Sequence, residues 1–306
     1  MRCALVTGAS GFVGRPLVEA LRVRAGTVHV VGRRDPGIPG TTFHRADLLD
    51  EGEIRAVVAA AAPSHLVHLA WYAEPGLYWR SPANLDWVCA TLHLVRAFAE
   101  AGGTRVVAAG TCAEYAWGGG PLDEAGAPRE PSTLYGAAKD ATFRLLSAYV
   151  AEVGLSFAWG RLFFLYGPHE GPGRLVADAA RALLAGSIFE ASHGLQGRDF
   201  MHVADAAGAF AALAASDVRG AVNVATGVAP TVRSLLKGVA ARAGRPDLIR
   251  LGAKSLAASE PQTIVADVSR LAREVGFSPR YDLAAGLDQT MGWWRERLAA
   301  DRLVAP

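Results

Sequence analysis

ALVTGASGFVGRPLVEAL, residues 4–21, is the stretch on which the fold turns. An apolar run closes at Thr7, Gly8, Gly11 and Gly14 follow three apart, and helical spacing begins at once. A strand, a glycine turn and a helix start in that order make an anion site. Backbone N–H groups and the positive end of the helix face a phosphate, and glycine lets the backbone come close. Pro16 falls early in the expected helix, Pro16 to Arg24, where donors are unpaired anyway. Alone, the triplet also suits a tight turn or a close helix–strand contact.

What surrounds it repeats the same alternation. CALVT, TVHVVG, HLVHLA, TRVVAAG and LSFAWGRLF are short β-branched or apolar runs that predict buried parallel strands. Segments with helical spacing lie between them, at Glu51 to Ala61, Pro82 to Ala101 and Leu134 to Val153. This order implies βαβ crossovers and an α/β fold with a doubly wound parallel sheet, which binds ligands at the carboxyl ends of its strands. Beyond residue 166 the pattern is irregular. YGPHEGPGR is a Gly- and Pro-rich loop, and helices are expected near Leu175 to Ala185 and Ala204 to Ala215. Residues 1–165 are read as the sheet domain and 166–306 as a smaller substrate-binding region, with about 200–225 rejoining the sheet.

Composition narrows the function. The 306 residues are 51% hydrophobic and 20% charged, which suits a globular enzyme. A formal charge of +2 offers no surface for nucleic acid. Cys3, Cys89 and Cys112 are a poor disulfide framework, so reduced thiols and a cytoplasmic location are expected. The N-terminus does not resemble a signal peptide, and the Ala-rich segments are too broken for a membrane helix. The eight histidines show no ligand spacing, so no metal is expected.

G-x-x-G-x-x-G behind Thr7, with the length of the chain, resembles the extended branch of the short-chain dehydrogenase/reductase superfamily, whose members mostly act on nucleotide sugars. Further segments carry the same resemblance: ADLLD, VHLA, NLDWVCATLHLVRA from Asn84, RDFMHVADAAGAF and AVNVATG. It implies a Rossmann-type sheet and a nicotinamide dinucleotide. Gly8, Ser10, Gly11, Phe12, Val13 and Gly14 would meet that cofactor, as would Asp47 and Leu48 near the adenine and Leu69 and Ala70 at the end of the fourth strand. Arg198 occupies the position that usually meets nucleotide phosphate. The helices near residues 84–100 and 134–152 often form a dimer bundle in relatives, so a homodimer is expected.

LYGAAKDA sets Tyr135 and Lys139 four apart, on one helix face. Hydride exchange at a carbinol or ketone carbon needs a proton moved at the oxygen. A tyrosine reaches it, but its ordinary pKa of about 10 is high. A nearby ammonium is expected to lower that value, and Lys139 would also hold the nicotinamide ribose. An isolated Tyr–Lys pair is equally an ordinary surface feature; the dinucleotide unit before it gives the pair its meaning. Thr111, closing VVAAGT, stands where the family carries a Ser or Thr that hydrogen-bonds the substrate oxygen. Sugar-nucleotide dehydratases follow that Thr with Asp-Glu. Here Cys112 and Ala113 follow it, which excludes their acid–base pair, and Glu114 comes one position late. Cys112 is read as a buried small residue beside the substrate rather than a nucleophile. Phe164 replaces an Asn that usually contacts the substrate.

NAD-using relatives place an acidic residue after the second strand to hold the ribose 2′-OH. In VHVVGRRDP, Arg33 and Arg34 take that place, and a guanidinium suits a 2′-phosphate. NADP(H) is therefore favoured over NAD(H); the other reading keeps the arginines solvated and Asp35 on the ribose. With the dehydratase pair missing, the expected reaction is NADPH-dependent reduction of a keto group, at C4, on a nucleotide-linked deoxyhexose. An NAD-dependent epimerase is the alternative. A silent NADP sensor or scaffold, the non-enzyme reading, has no need of Thr111, Tyr135 and Lys139. Trp71, Tyr72 and Tyr78 are candidate substrate contacts or plain core. Trp117 and the glycines after it are expected to form a loop over the site, and Trp293 and Trp294 to pack the last helix.

Overall fold

The computed structural model describes residues 1–118, 120–257 and 259–304. The first half runs β1 (Cys3–Thr7), α1 (Gly14–Arg22), β2 (Thr27–Gly32), β3 (Thr42–Arg45), α2 (Glu51–Ala61), β4 (His65–His68), α3 (Ala83–Glu100), β5 (Arg105–Thr111), α4 (Leu134–Val153) and β6 (Ser156–Leu162). The second half adds β7 (Phe164–Tyr166), α5 (Leu175–Leu184), β8 (Phe189–Ala191), β9 (Gly197–Arg198), β10 (Phe200–His202), α6 (Val203–Ala215) and β11 (Gly220–Val224). It closes with α7 (Val232–Ala243), β12 (Ile249–Leu251), β13 (Thr263–Ile264), α8 (Ser269–Arg273) and α9 (Leu283–Val304).

Seven strands form one sheet in the order β3-β2-β1-β4-β5-β6-β11, and every ladder is parallel. The α/β Rossmann-type architecture expected from the sequence is thus present. Strand order reverses between β1 and β4, which opens the ligand crevice of such sheets at their carboxyl ends. The inner strands of the sheet are buried on both faces, as their apolar runs require. Val6, Leu17, Leu21 and Phe210 belong to the core under α1 and α6; Leu5, Ile54, Leu94, Phe98 and Trp159 belong to the core under α2, α3 and α4. β11 pairs with β6, so this late strand completes the sheet. α5, α7 and α9 share a third core, which includes Tyr166, Leu235, Met291 and Trp294.

Local chemistry sets the element ends. Thr133 caps α4 by accepting the Gly136 N–H at 3.1 Å, and Gly154 ends it at φ +69°. Asp50 caps α2 in the same way, through Glu53 N–H at 2.9 Å. α1 begins at Gly14, two residues before the expected start, with Pro16 in its first turn. β3 is absent from the strands that the apolar runs predict. It is an edge strand, TFHR, half-exposed along its length, so it carries no apolar run. Among the described residues no helix is long and apolar enough to cross a membrane.

Candidate active site

The turn after β1 allows the close approach that a dinucleotide needs. Gly8 sits at φ +71°, and a Cβ there would lie 2.8 Å from Ala70 N. A Cβ on Gly14 would lie 2.0 Å from the Gly8 carbonyl oxygen, so the first helical turn packs directly on the loop. The Thr7 hydroxyl ties this turn to the end of β4. It accepts the N–H groups of Leu69 and Ala70 at 3.2 and 3.1 Å and lies 2.8 Å from His68 Nδ1. His68 Nε2 lies 3.0 Å from the Thr91 hydroxyl, whose own proton goes to the Trp87 carbonyl at 2.7 Å. That pattern assigns a neutral imidazole protonated at Nε2, and burial brings its pKa down to about 3.

A cavity of about 800 Å³ opens at the strand ends. Phe12, Val13, Leu69, Trp71, Thr111, Cys112, Tyr135, Lys139, Phe164 and Arg198 all line it, as do Tyr78 and Trp117; Tyr72 does not. The indole N–H of Trp117 donates to the Cys112 carbonyl at 2.8 Å. Of the loop expected beyond it, Gly119 lies outside the described residues.

Thr111, Tyr135 and Lys139 converge on one wall. Tyr135 and Lys139 lie in the first turns of α4, and Thr111 is the last residue of β5. The Tyr135 phenol shares a hydrogen bond with Thr111. Its ring meets Tyr78 and Trp79 edge-on, with centroids 4.8 and 5.7 Å apart. Lys139, 3% exposed, donates to the Ala109 carbonyl at 2.8 Å. Burial brings its pKa down to about 7, with the Glu114 carboxylate acting the other way. Here the sequence expectation is corrected: burial and neighbouring Tyr78 raise the Tyr135 pKa above its ordinary value, although the Thr111 hydrogen bond opposes them. Desolvation of the phenolate is the largest cause, so the phenol is held protonated.

Glu114 is not a displaced dehydratase carboxylate. It is fully buried and points away from the cavity. Oε1 accepts the Thr111 backbone N–H at 2.8 Å and the Trp159 indole N–H at 2.9 Å; Oε2 accepts Arg161 Nε–H at 2.6 Å. Arg161 in turn donates to the Tyr115 hydroxyl at 2.8 Å, which donates to Asn223 Oδ1 at 2.8 Å. This network fixes the end of β5, and with it Thr111. Burial pushes the Cys112 thiol up to about 12, so it stays a thiol.

At the far end Arg198 is buried, donates to the Gly197 carbonyl at 2.7 Å, pairs with Glu260 and lies 5.7 Å over the Phe164 ring. Sequence reasoning missed Glu170. It is 6% exposed on the cavity wall, its Oε2 accepts Ala177 N–H of α5 at 3.2 Å, and burial raises its pKa to about 8. Nothing local in a Gly/Pro loop marks it; α5 folding against the loop creates its burial.

Gly8, Ser10, Gly11 and Gly14 lie in the turn and helix start after β1 and Ala70 follows β4; none of the five lines the cavity. Arg33 and Arg34 follow β2, are exposed and make no hydrogen bond or ion pair among the described residues. Arg15 of α1 donates to the Pro36 carbonyl at 3.0 Å, which ties their loop to the start of α1. Asp35 is turned to its own loop, accepting Gly37 N–H at 2.8 Å. Asp47 follows β3 and accepts Leu49 N–H at 3.0 Å, while the Leu48 side chain is buried in the core, which leaves only its backbone for a ligand. No group of three His, Cys, Asp or Glu placed to hold a metal occurs among the described residues.

A glycine turn that a Cβ would fill, a helix start beside it and a buried Tyr–Lys–Thr cluster at one sheet crevice define an NAD(P)-dependent enzyme. The chain belongs to the NAD dependent epimerase/dehydratase family, whose model matches residues 4–225. It is similar to UDP-glucuronate 4-epimerase 4 of Arabidopsis thaliana, 28% identical over 344 residues covering 98% of this chain and 77% of that protein. It is also 28% identical to dTDP-4-dehydro-6-deoxy-D-allose reductase of a Streptomyces species, with 96% of each covered. Among solved structures, MoeE5 in complex with UDP-glucuronic acid and NAD superposes with a TM-score of 0.84 at 31% identity, covering 96% of this chain and 99% of that one.

Proposed function

We propose that the chain reduces a keto group, at C4 of a nucleotide-linked deoxyhexose, with NADPH. The observation that carries this reading is the placement of the Tyr135 phenol beside Thr111, with Lys139 one turn further along α4, on one cavity wall. Reduction makes an alkoxide that must be protonated, and an acid is the form it needs. Bound NADPH would supply the hydride. Thr111 would hold the carbonyl oxygen, Tyr135 would protonate it, and Lys139 would hold the ribose and supply positive charge beside the phenol. The glycine turn, Phe12, Val13, Leu69 and Ala70 would seat the dinucleotide, and Arg33 and Arg34 its 2′-phosphate. Trp71, Cys112, Phe164 and Arg198 would face the substrate, with residues from 166 onward closing the cavity over it. The reductase relative supports a C4 carbonyl, and the UDP-linked ligands of MoeE5 support a nucleotide sugar. The NAD held by MoeE5 and the epimerase relative favour the second reading, an epimerase that keeps its cofactor.

The cofactor choice separates the two. Replacing both arginines, Arg33→Ser with Arg34→Ser, is expected to weaken NADPH about 10- to 100-fold and leave NADH nearly unchanged, since hydrogen bonds to charged groups are at stake. Fluorescence titration of purified protein measures this. Equal losses for both cofactors, or stoichiometric NAD purifying with the wild type, would favour the epimerase.

A further inference from the structure

Lys139 is enclosed by two indoles. Its Nζ lies 3.7 Å from the Trp71 ring centroid and 5.7 Å from that of Trp159. Both rings are anchored by their N–H groups. Trp159 donates to Glu114, and Trp71 donates to Asn84 Oδ1 at 2.8 Å. Asn84 is itself fixed, because its amide donates to the carbonyls of Tyr78 and Ser81 at 2.7 and 2.8 Å. An ammonium has three N–H donors. One goes to the Ala109 carbonyl, and no carboxylate pairs with Lys139 among the described residues. The Trp71 face lies where a second N–H can meet a π cloud, and a third donor is left for a ligand.

We propose that Trp71 is a positioning residue for Lys139, its indole face holding the buried lysine as an ammonium pointed into the cavity. This goes beyond a substrate contact for Trp71, and its importance for catalysis rests on the reading of Lys139 above. A cation over tryptophan is stabilised most when desolvated, as here. Burial opposes the charge, and the indole face 3.7 Å away acts against that penalty. The titratable groups facing it are few. Glu114, bound to Arg161, follows β5; neutral His68 ends β4; Tyr135 lies one turn back on α4.

The sequence contains three lysines, and Lys237 and Lys254 are exposed, so 13C NMR of Cε-labelled lysine gives a readable titration of Lys139. In the cofactor-free wild type Lys139 is expected to titrate near pH 7. Trp71→Leu is expected to move that midpoint down by about one pH unit, and Trp71→Phe to retain most of it. Losing the ammonium ends activity on the alkaline side, so the alkaline limb of kcat/KM moves down with it. Trp71→Met, a flexible unbranched chain without a ring, gives the same drop should the Leu variant not fold. A Lys139 midpoint unmoved in these variants overturns the inference and leaves the role of Tyr135 standing. Full turnover in Lys139→Met would instead overturn the reading of the lysine, whatever the titration shows.

Discussion

Tyr135→Phe is expected to lower kcat by about 10²- to 10⁴-fold, the usual worth of a placed general acid, while NADPH affinity is unchanged. The substitution removes one oxygen and keeps the ring that packs edge-on against Tyr78 and Trp79, so the cavity wall survives. A phenol is already protonated in the neutral range at its ordinary pKa of about 10, and burial of Tyr135 shifts it further that way. Stopped-flow oxidation of NADPH with cofactor binding measured in parallel checks this. A variant that turns over normally would remove Tyr135 from the chemistry.

The largest stability effect is expected at Glu114→Ala. That carboxylate and Arg161 are both fully buried, 2.6 Å apart, and removing one partner of a buried pair costs about 3–5 kcal/mol because the other charge is left uncompensated. The Thr111 N–H and the Trp159 indole N–H lose their acceptor as well. Thermal unfolding should show a midpoint lower by roughly 10 °C. Glu114→Gln, which keeps an acceptor but no charge, should fall between the two. An unchanged midpoint in the Ala variant would mean that the pair does not hold the end of β5.

Local rules made much of this molecule legible. α4 could be read to the residue because Thr133 and Gly154 punctuate it, and Tyr135 and Lys139 share its face by spacing alone. The glycine turn was legible because its chemistry lies within seven residues. What was not legible depends on distant chain. β3 hides because an edge strand needs no apolar run. The direction of the Tyr135 shift depends on Tyr78 and Trp79 arriving from the loop after β4. Glu114 looked like a carboxylate one place too late; its partner Arg161 stands 47 residues away, and only the fold shows that its charge is already spent. Glu170 is buried by a helix that the loop around it does not announce.

Hydride transfer to a carbonyl beside Tyr135 can be followed by isotopic labelling. The enzyme is incubated with 4-deuterated NADPH of each face and a nucleotide-linked 4-keto-6-deoxyhexose, and the product is read by mass spectrometry. One of the two labelled cofactors is expected to yield a sugar carrying deuterium at C4, with an equal amount of NADP⁺ formed. An unlabelled sugar from both, with no NADP⁺ formed, would contradict it.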